Sequence, residues 1–274
     1  MNLRKFTLAL CLLGASITSY SQNPKEMNHL TTSYDKSWAK VEQHINDDLP
    51  KSAISEAEKI LKKATAEGNF AQAARAGFTL MAMRGNISPD SMVVDVEKLE
   101  TLIQQREATA DTPRARAELA LLHALAATVY DTWRYSSLTL SDEEAEQLGE
   151  QRKAKHIEAS TAHASDIAGV SVKDCRPLME EEGKDSRFFG DDALSMVVDL
   201  LERESLVDDE ARWNVLRMAA STYREKGMRE AYALMRMREL EAQSDLSSYS
   251  HRLRRDDHVR ELRQLCDEVG DTPP

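Results

Sequence analysis

The chain has 274 residues, 41% of them hydrophobic, 30% charged and only 5% aromatic, and its formal net charge is -11. That acidity argues against a nucleic-acid partner, which needs a basic stripe, and leaves no basic patch for an anionic membrane surface. Ten Gly and seven Pro are few for this length; with abundant Ala, Leu, Glu, Lys and Arg they predict an all-α protein with a real core, in one large domain or two ordinary ones.

The N-terminus reads as a secretory signal. Arg4 and Lys5 form a positive start, residues 6–17 are apolar, and Ser19-Tyr20-Ser21 supplies small residues for cleavage after Ser21. The apolar run is shorter than the roughly 20 residues that span a bilayer. Leu8-Ala9-Leu10-Cys11 is a poor lipoprotein site because Leu10 is bulky. Export to a periplasmic, extracellular or cell-envelope location is expected, with no membrane insertion once the signal is removed.

A polar leader over 22–31 precedes a first helix, capped by Thr32 or Ser33, that lines up Tyr34, Trp38, Val41 and Ile45. It stops at Asn46-Asp47-Asp48. Residues 49–83 then predict two antiparallel helices around Glu67-Gly68-Asn69. Pro50 suits a first turn, and Ala53, Ala57, Ile60 and Ala64 form one face. Gly68 is placed for a left-handed cap, and Phe70, Ala73, Ala74, Gly77 and Met81 are expected on the facing side. The string Gly-Asn-Phe-x-x-Ala-x-x-x-Gly looks like half of a tetratricopeptide-type hairpin.

Residues 84–89 read as a breaker, with the next helix from Ser91 turning Val93, Val96, Leu99 and Ile103 inward. Pro113 opens a helix, over about 114–133, that is apolar nearly all round: Leu119, Leu121, Leu122, Leu125, Val129 and Trp133. Such a helix is buried among others. Ser141-Asp142-Glu143-Glu144 starts a further helix, and residues 150–168 read as polar and helical. The stretch 169–190, with Cys175 and Glu180-Glu181-Glu182, is the expected connector; its glutamates read as a solvated helix end.

Asp191 or Asp192 then caps a helix over 193–203 with Leu194, Val197, Val198 and Leu201 inward. Asp208-Asp209-Glu210 opens another, carrying Trp213, Leu216, Ala220 and Tyr223. Gly227 breaks it before a partner with Ala231, Leu234, Met235 and Leu240. A charged helix over about 256–268 leads to the tail. The expected organisation is therefore a signal peptide (1–21), a leader (22–31), a first helical layer (32–168), a connector (169–190), a second hairpin layer (191–268) and a tail (269–274). Two similar hairpins about 150 residues apart predict antiparallel hairpins stacked as an irregular, tetratricopeptide-like α-solenoid.

The sequence offers little chemistry. Gly-x-Ser-x-Gly, a phosphate-cradling Gly-rich loop and His-Glu-x-x-His are all missing from it. His123 reads as a core histidine on an apolar helix. His156, His163 and Asp166 share one side of a helix, but the two histidines lie about 10 Å apart along its axis, too far for one ion; His251 and His258 repeat that spacing. No catalytic, metal or cofactor-binding residue is assigned, and no cofactor is expected. Cys175 and Cys266 read equally well as a disulfide or as two separate thiols.

Two stretches resemble a known family. Ser33-Tyr34-Asp35-Lys36-Ser37-Trp38 and Asp47-Asp48-Leu49-Pro50-Lys51-Ser52-Ala53 resemble the opening helices of large exported bacterial alpha-2-macroglobulin-like proteins. The helix ending Val129-Tyr130-Asp131-Thr132-Trp133 and the one over 191–201 are similar to later helices of that region, so the likeness spans most of residues 30–240. The family implies a protease trap with β-sandwich domains, a bait segment and often a Cys-Glu-Gln thioester. Cys175, followed by Arg-Pro, and Cys266, followed by Asp-Glu-Val, do not match the thioester, and the β-rich domains would lie beyond residue 274. The signal peptide, the helical hairpins and the missing site chemistry lead to the expectation of an exported, non-catalytic helical scaffold, docking to further domains of the same polypeptide or to an envelope protein, and the resemblance implies a fragment of such an inhibitor. The alternative is a stand-alone periplasmic tetratricopeptide-like adaptor binding a peptide or protein; an enzyme with an unrecognised site is a third.

Overall fold

The computed structural model describes residues 32–133, 141–172, 175, 178, 192–203, 206–246 and 255–270. Outside them fall the expected signal peptide and leader, most of the 169–190 connector with Glu180–Glu182, Asp191, His251 and residues 271–274 of the tail. The side chains of Thr32, Ser33 and Trp133 fall outside them too.

Among the described residues the chain is all-α. Its helices are α1 (Thr32–Asn46), α2 (Pro50–Ala66), α3 (Phe70–Ile87), α4 (Pro89–Glu107), α5 (Pro113–Trp133), α6 (Asp142–Thr161), α7 (Ala164–Ile167), α8 (Ala193–Arg203), α9 (Asp209–Glu225), α10 (Arg229–Asp245) and α11 (Arg255–Val269). The only extended pairing among these residues is an isolated bridge between Ser171 and Asp192. The chain gathers into two compact units, residues 1–104, 132–149 and 173–185 in one, and 105–131, 150–172 and 186–274 in the other.

The first unit is built on α1, α2 and α3. Tyr34, Trp38 and Val41 of α1 meet Ala53, Ala57, Ile60 and Ala64 of α2 and Ala76 and Leu80 of α3. The alanines keep the helices close, and the short turns have their expected chemistry. Pro50 sits in the first turn of α2, Gly68 is left-handed at φ +66°, and the Asn69 side chain accepts the Gln72 N–H at 3.1 Å.

Two local expectations are corrected. The face that α3 turns to this core carries Ala76 and Leu80, with Ala73 and Met83 at its edge, rather than Gly77 and Met81. Because Phe70, Phe78, Met81 and Ala82 are buried as well, α3 is apolar on several sides and its periodicity cannot choose among them. The expected break over 84–89 shrinks to Ser88, and α4 begins at Pro89 rather than Ser91. A proline stops a helix from its interior but is well suited to the first turn of the next one.

In the second unit, α9 and α10 form the predicted hairpin around Gly227, at φ +69°. Trp213, Leu216, Ala220, Tyr223, Ala231, Met235 and Leu240 are all buried. Asp208 caps α9 by accepting the Ala211 N–H at 2.8 Å. Leu194, Val197, Val198 and Leu201 of α8 are buried as expected. In this unit α5 is buried at every position from Ala117 to Tyr130 except the half-buried Glu118 and Thr128. The helix expected over 150–168 is broken at Ala162 and His163, between α6 and the single turn of α7.

Candidate functional site

An organised set of charged side chains in the second unit lines a groove among α9, α10 and α11. Arg217 and Arg224 stand two turns apart on α9, and Glu261 and Glu268 stand two turns apart on α11; Tyr232, Arg236 and Glu239 of α10 complete the wall. The cavity holds about 300 Å³. Its charges are interlocked. Arg236 meets Glu239 at 2.6 Å and Glu261 at 3.0 Å, Arg224 lies 3.5 Å from Glu268, and the Tyr232 hydroxyl donates to Glu268 at 2.9 Å.

Electrostatics follow from these pairs. Burial pushes the Arg236 guanidinium down, but Glu239 and Glu261 outweigh it and hold the group above its usual value. Hydrogen bonds from Gln264 and Tyr232 hold the Glu268 carboxyl below its usual range. Arg217 differs from the other two arginines. It lies 4.6 Å over the Trp213 ring and donates to Asn214 at 3.2 Å, and no carboxylate among the described residues pairs with it. A guanidinium stacked on an indole keeps its edge available to an acceptor. Such a lining suits recognition of a charged segment; it contains no histidine or cysteine.

Sequence reasoning passed over these residues because each reads as an ordinary solvated helix position. A signal was present. Arg217 with Arg224, and Glu261 with Glu268, repeat at i, i+7, so like charges line one face of each helix and opposite charges can face across.

The histidines are distributed differently from their spacing along the chain. His123 of α5 and His156 of α6 meet each other, Nδ1 to Nδ1 at 2.9 Å, and they are 2% and 1% exposed. His163 instead sits beside Asp166 at 3.5 Å, and Asp166 is taken by Arg116 at 2.6 Å. His123 is thus a core residue, though not a solitary one. No group of three or more His, Cys, Asp or Glu among the described residues is arranged to hold a metal ion. Cys175 is buried and Cys266 exposed, and no disulfide joins them.

In the first unit Arg75 of α3 lies 4.0 Å over the Trp38 ring and 3.9 Å from Glu42. Its side chain is 10% exposed, and burial pushes its guanidinium down to about 10. The Trp38 indole donates to Gln72 at 2.7 Å. This cluster joins α1 to α3 rather than opening a cavity.

Comparison of the chain with protein-family models, with curated proteins and with solved structures gives no match.

Proposed function

We propose that this protein is an exported, non-catalytic helical scaffold whose α9–α11 groove docks a protein partner through a carboxylate set against Arg217. The carrying observation is the groove itself. Three consecutive helices contribute side chains to one polar concavity, and its arginine on α9 stacks on Trp213 without a carboxylate partner among the described residues. Hairpins of this kind present extended surfaces when they stack as a tetratricopeptide-like solenoid, and a helix or extended peptide is the usual guest of such a groove.

The resemblance of residues 33–38 and 47–53 to exported alpha-2-macroglobulin-like proteins supports the scaffold reading, in which the partner is another domain of a larger machine. Protease trapping is not carried over, since neither Cys175 nor Cys266 lies in a thioester motif. The second reading, a stand-alone adaptor, uses the same groove for a peptide of a separate protein.

Fluorescence anisotropy with labelled acidic, neutral and basic 15-residue peptides tests the shared part of both readings. Acidic peptides are expected to bind best, to weaken with salt, and to lose roughly ten-fold or more in affinity on Arg217→Ala. Equal binding of all three peptide classes, or an Arg217→Ala protein that binds acidic peptides unchanged, overturns the assignment.

A further inference from the structure

The two groove arginines of α9 are held alike. Arg217 lies 4.6 Å over the Trp213 ring, and Arg224 lies 5.6 Å over the Tyr232 ring. A guanidinium resting on an aromatic face keeps its N–H edge for a planar acceptor, and a carboxylate takes two such bonds at once. Both side chains line the groove. Seven residues of α-helix return to nearly the same face and rise roughly 10 Å, so α9 carries two carboxylate readers at that interval. Arg236 is not a third. Glu239 at 2.6 Å and Glu261 at 3.0 Å already occupy it.

The helix opposite shows what these readers accept. Glu261 and Glu268 line the groove from α11 with the same seven-residue interval. Glu268 is firmly placed, accepting from the Tyr232 hydroxyl at 2.9 Å and from the Gln264 amide at 3.1 Å. Its contact with Arg224 is the loosest of the three, at 3.5 Å, and the Arg224 side chain is 63% exposed. An exposed pair of this kind holds little free energy. Glu268 keeps its bonds to Tyr232 and Gln264 when Arg224 turns to another acceptor. At Arg217 no carboxylate among the described residues takes the corresponding place, and the Asn214 side chain accepts at 3.2 Å instead.

We propose that the groove's guest is an acidic helix with two carboxylates seven residues apart, and that Glu268 holds the place of one of them until the guest binds. The inference rests on the reading of the groove as a docking site and adds the guest's spacing and its internal competitor. An extended strand covers 10 Å in about three residues, whose side chains alternate between its two faces. A helix sets residues i and i+7 on one face at the required distance. One guest carboxylate pairs with Arg217, and the other takes Arg224 from Glu268.

Fluorescence anisotropy with two helical 15-residue peptides of identical composition and charge tests this. One carries its two glutamates seven residues apart; the other carries them five apart, on opposite sides of the helix. The wild-type chain is expected to bind the first about three- to five-fold more tightly, and Arg224→Ala to erase that preference. Glu268→Gln is expected to raise affinity for the first peptide about three-fold. Asp267→Asn, the same change of charge one residue away and outside the groove lining, is expected to raise it less. Equal binding of the two peptides by wild type, or binding of neither, overturns the proposal. A gain at Glu268→Gln no larger than at Asp267→Asn overturns it too. Arg217→Ala separates this failure from that of the groove itself. Weakened acidic-peptide binding in that variant, with no preference for spacing in wild type, removes the present inference and leaves the docking site; unchanged binding removes both.

Discussion

Asp48 and Gly68 each follow a helix of the first unit, and both have a left-handed backbone, φ +56° and +66°. An L side chain is strained there, although a short Asp tolerates it better than most. A Cβ built on Gly68 meets nothing within 4 Å, so Gly68→Ala isolates the backbone cost and is expected to destabilise by about 1 kcal/mol. Asp48→Gly is expected to be neutral or stabilising by up to about 1 kcal/mol. Urea unfolding midpoints check both; a loss well above 2 kcal/mol at Gly68 would require a clash that the open space does not provide. Tyr34 carries a pH prediction. Burial, its hydrogen bond to Glu67 and that carboxylate's charge push its phenol from 10.0 up to about 12. A raised acid favours the neutral form in the fold, so its contribution is complete below pH 10 and lost between about 10 and 12. Tyr34→Phe is expected to cost about 1 kcal/mol at pH 7 and to flatten the stability profile across that alkaline window. Urea titrations at pH 8, 10 and 11.5 read the difference.

At the scale of elements, capping was largely legible because it is written in adjacent residues. Ser141 and Glu144 cap each other, the Ser141 N–H donating to the Glu144 carboxylate at 3.0 Å, and Asp208 caps α9. Asp192 does more than its local sequence announces. Besides the Ser195 N–H at 3.0 Å, it accepts the Gly169 N–H and the Tyr223 hydroxyl, tying the first turn of α8 to the loop after α7 and to α9. Burial and the Asp192 charge hold the Tyr223 phenol far above its usual value. Asp192→Ala is expected to cost about 2–3 kcal/mol and Tyr223→Phe about 1 kcal/mol, with the double variant losing less than their sum. Strict additivity in urea unfolding would show that the hydroxyl does not depend on this carboxylate. Among the elements misjudged in sequence, the face of α3 and the start of α4 failed where the pattern was saturated with apolar residues or where a proline served a start rather than a stop.

For the molecule as a whole, the two cysteines give a direct check of the fold. Cys175 is fully buried and Cys266 is exposed. Electrophoretic mobility is expected to be the same with and without reductant. A thiol reagent is expected to label Cys266 in the native protein and Cys175 only once the chain unfolds; equal labelling rates would place Cys175 in contact with solvent and contradict its burial.

Helix positions, caps and turn glycines were readable in order along the chain, because each depends on residues three or four places away. So was the all-α class, which follows from composition and the 3.6-residue period. The groove and the histidine pair were not. Arg224 and Glu268 are 44 residues apart, Arg236 and Glu261 are 25, and His123 and His156 are 33. Whether such residues meet is decided by which faces of separate helices are turned together, and polar positions on an exposed stripe look alike until packing selects among them. Local chemistry made the helices; their mutual packing made a charged concavity from ordinary surface residues and brought together two histidines that the sequence had placed on separate helices.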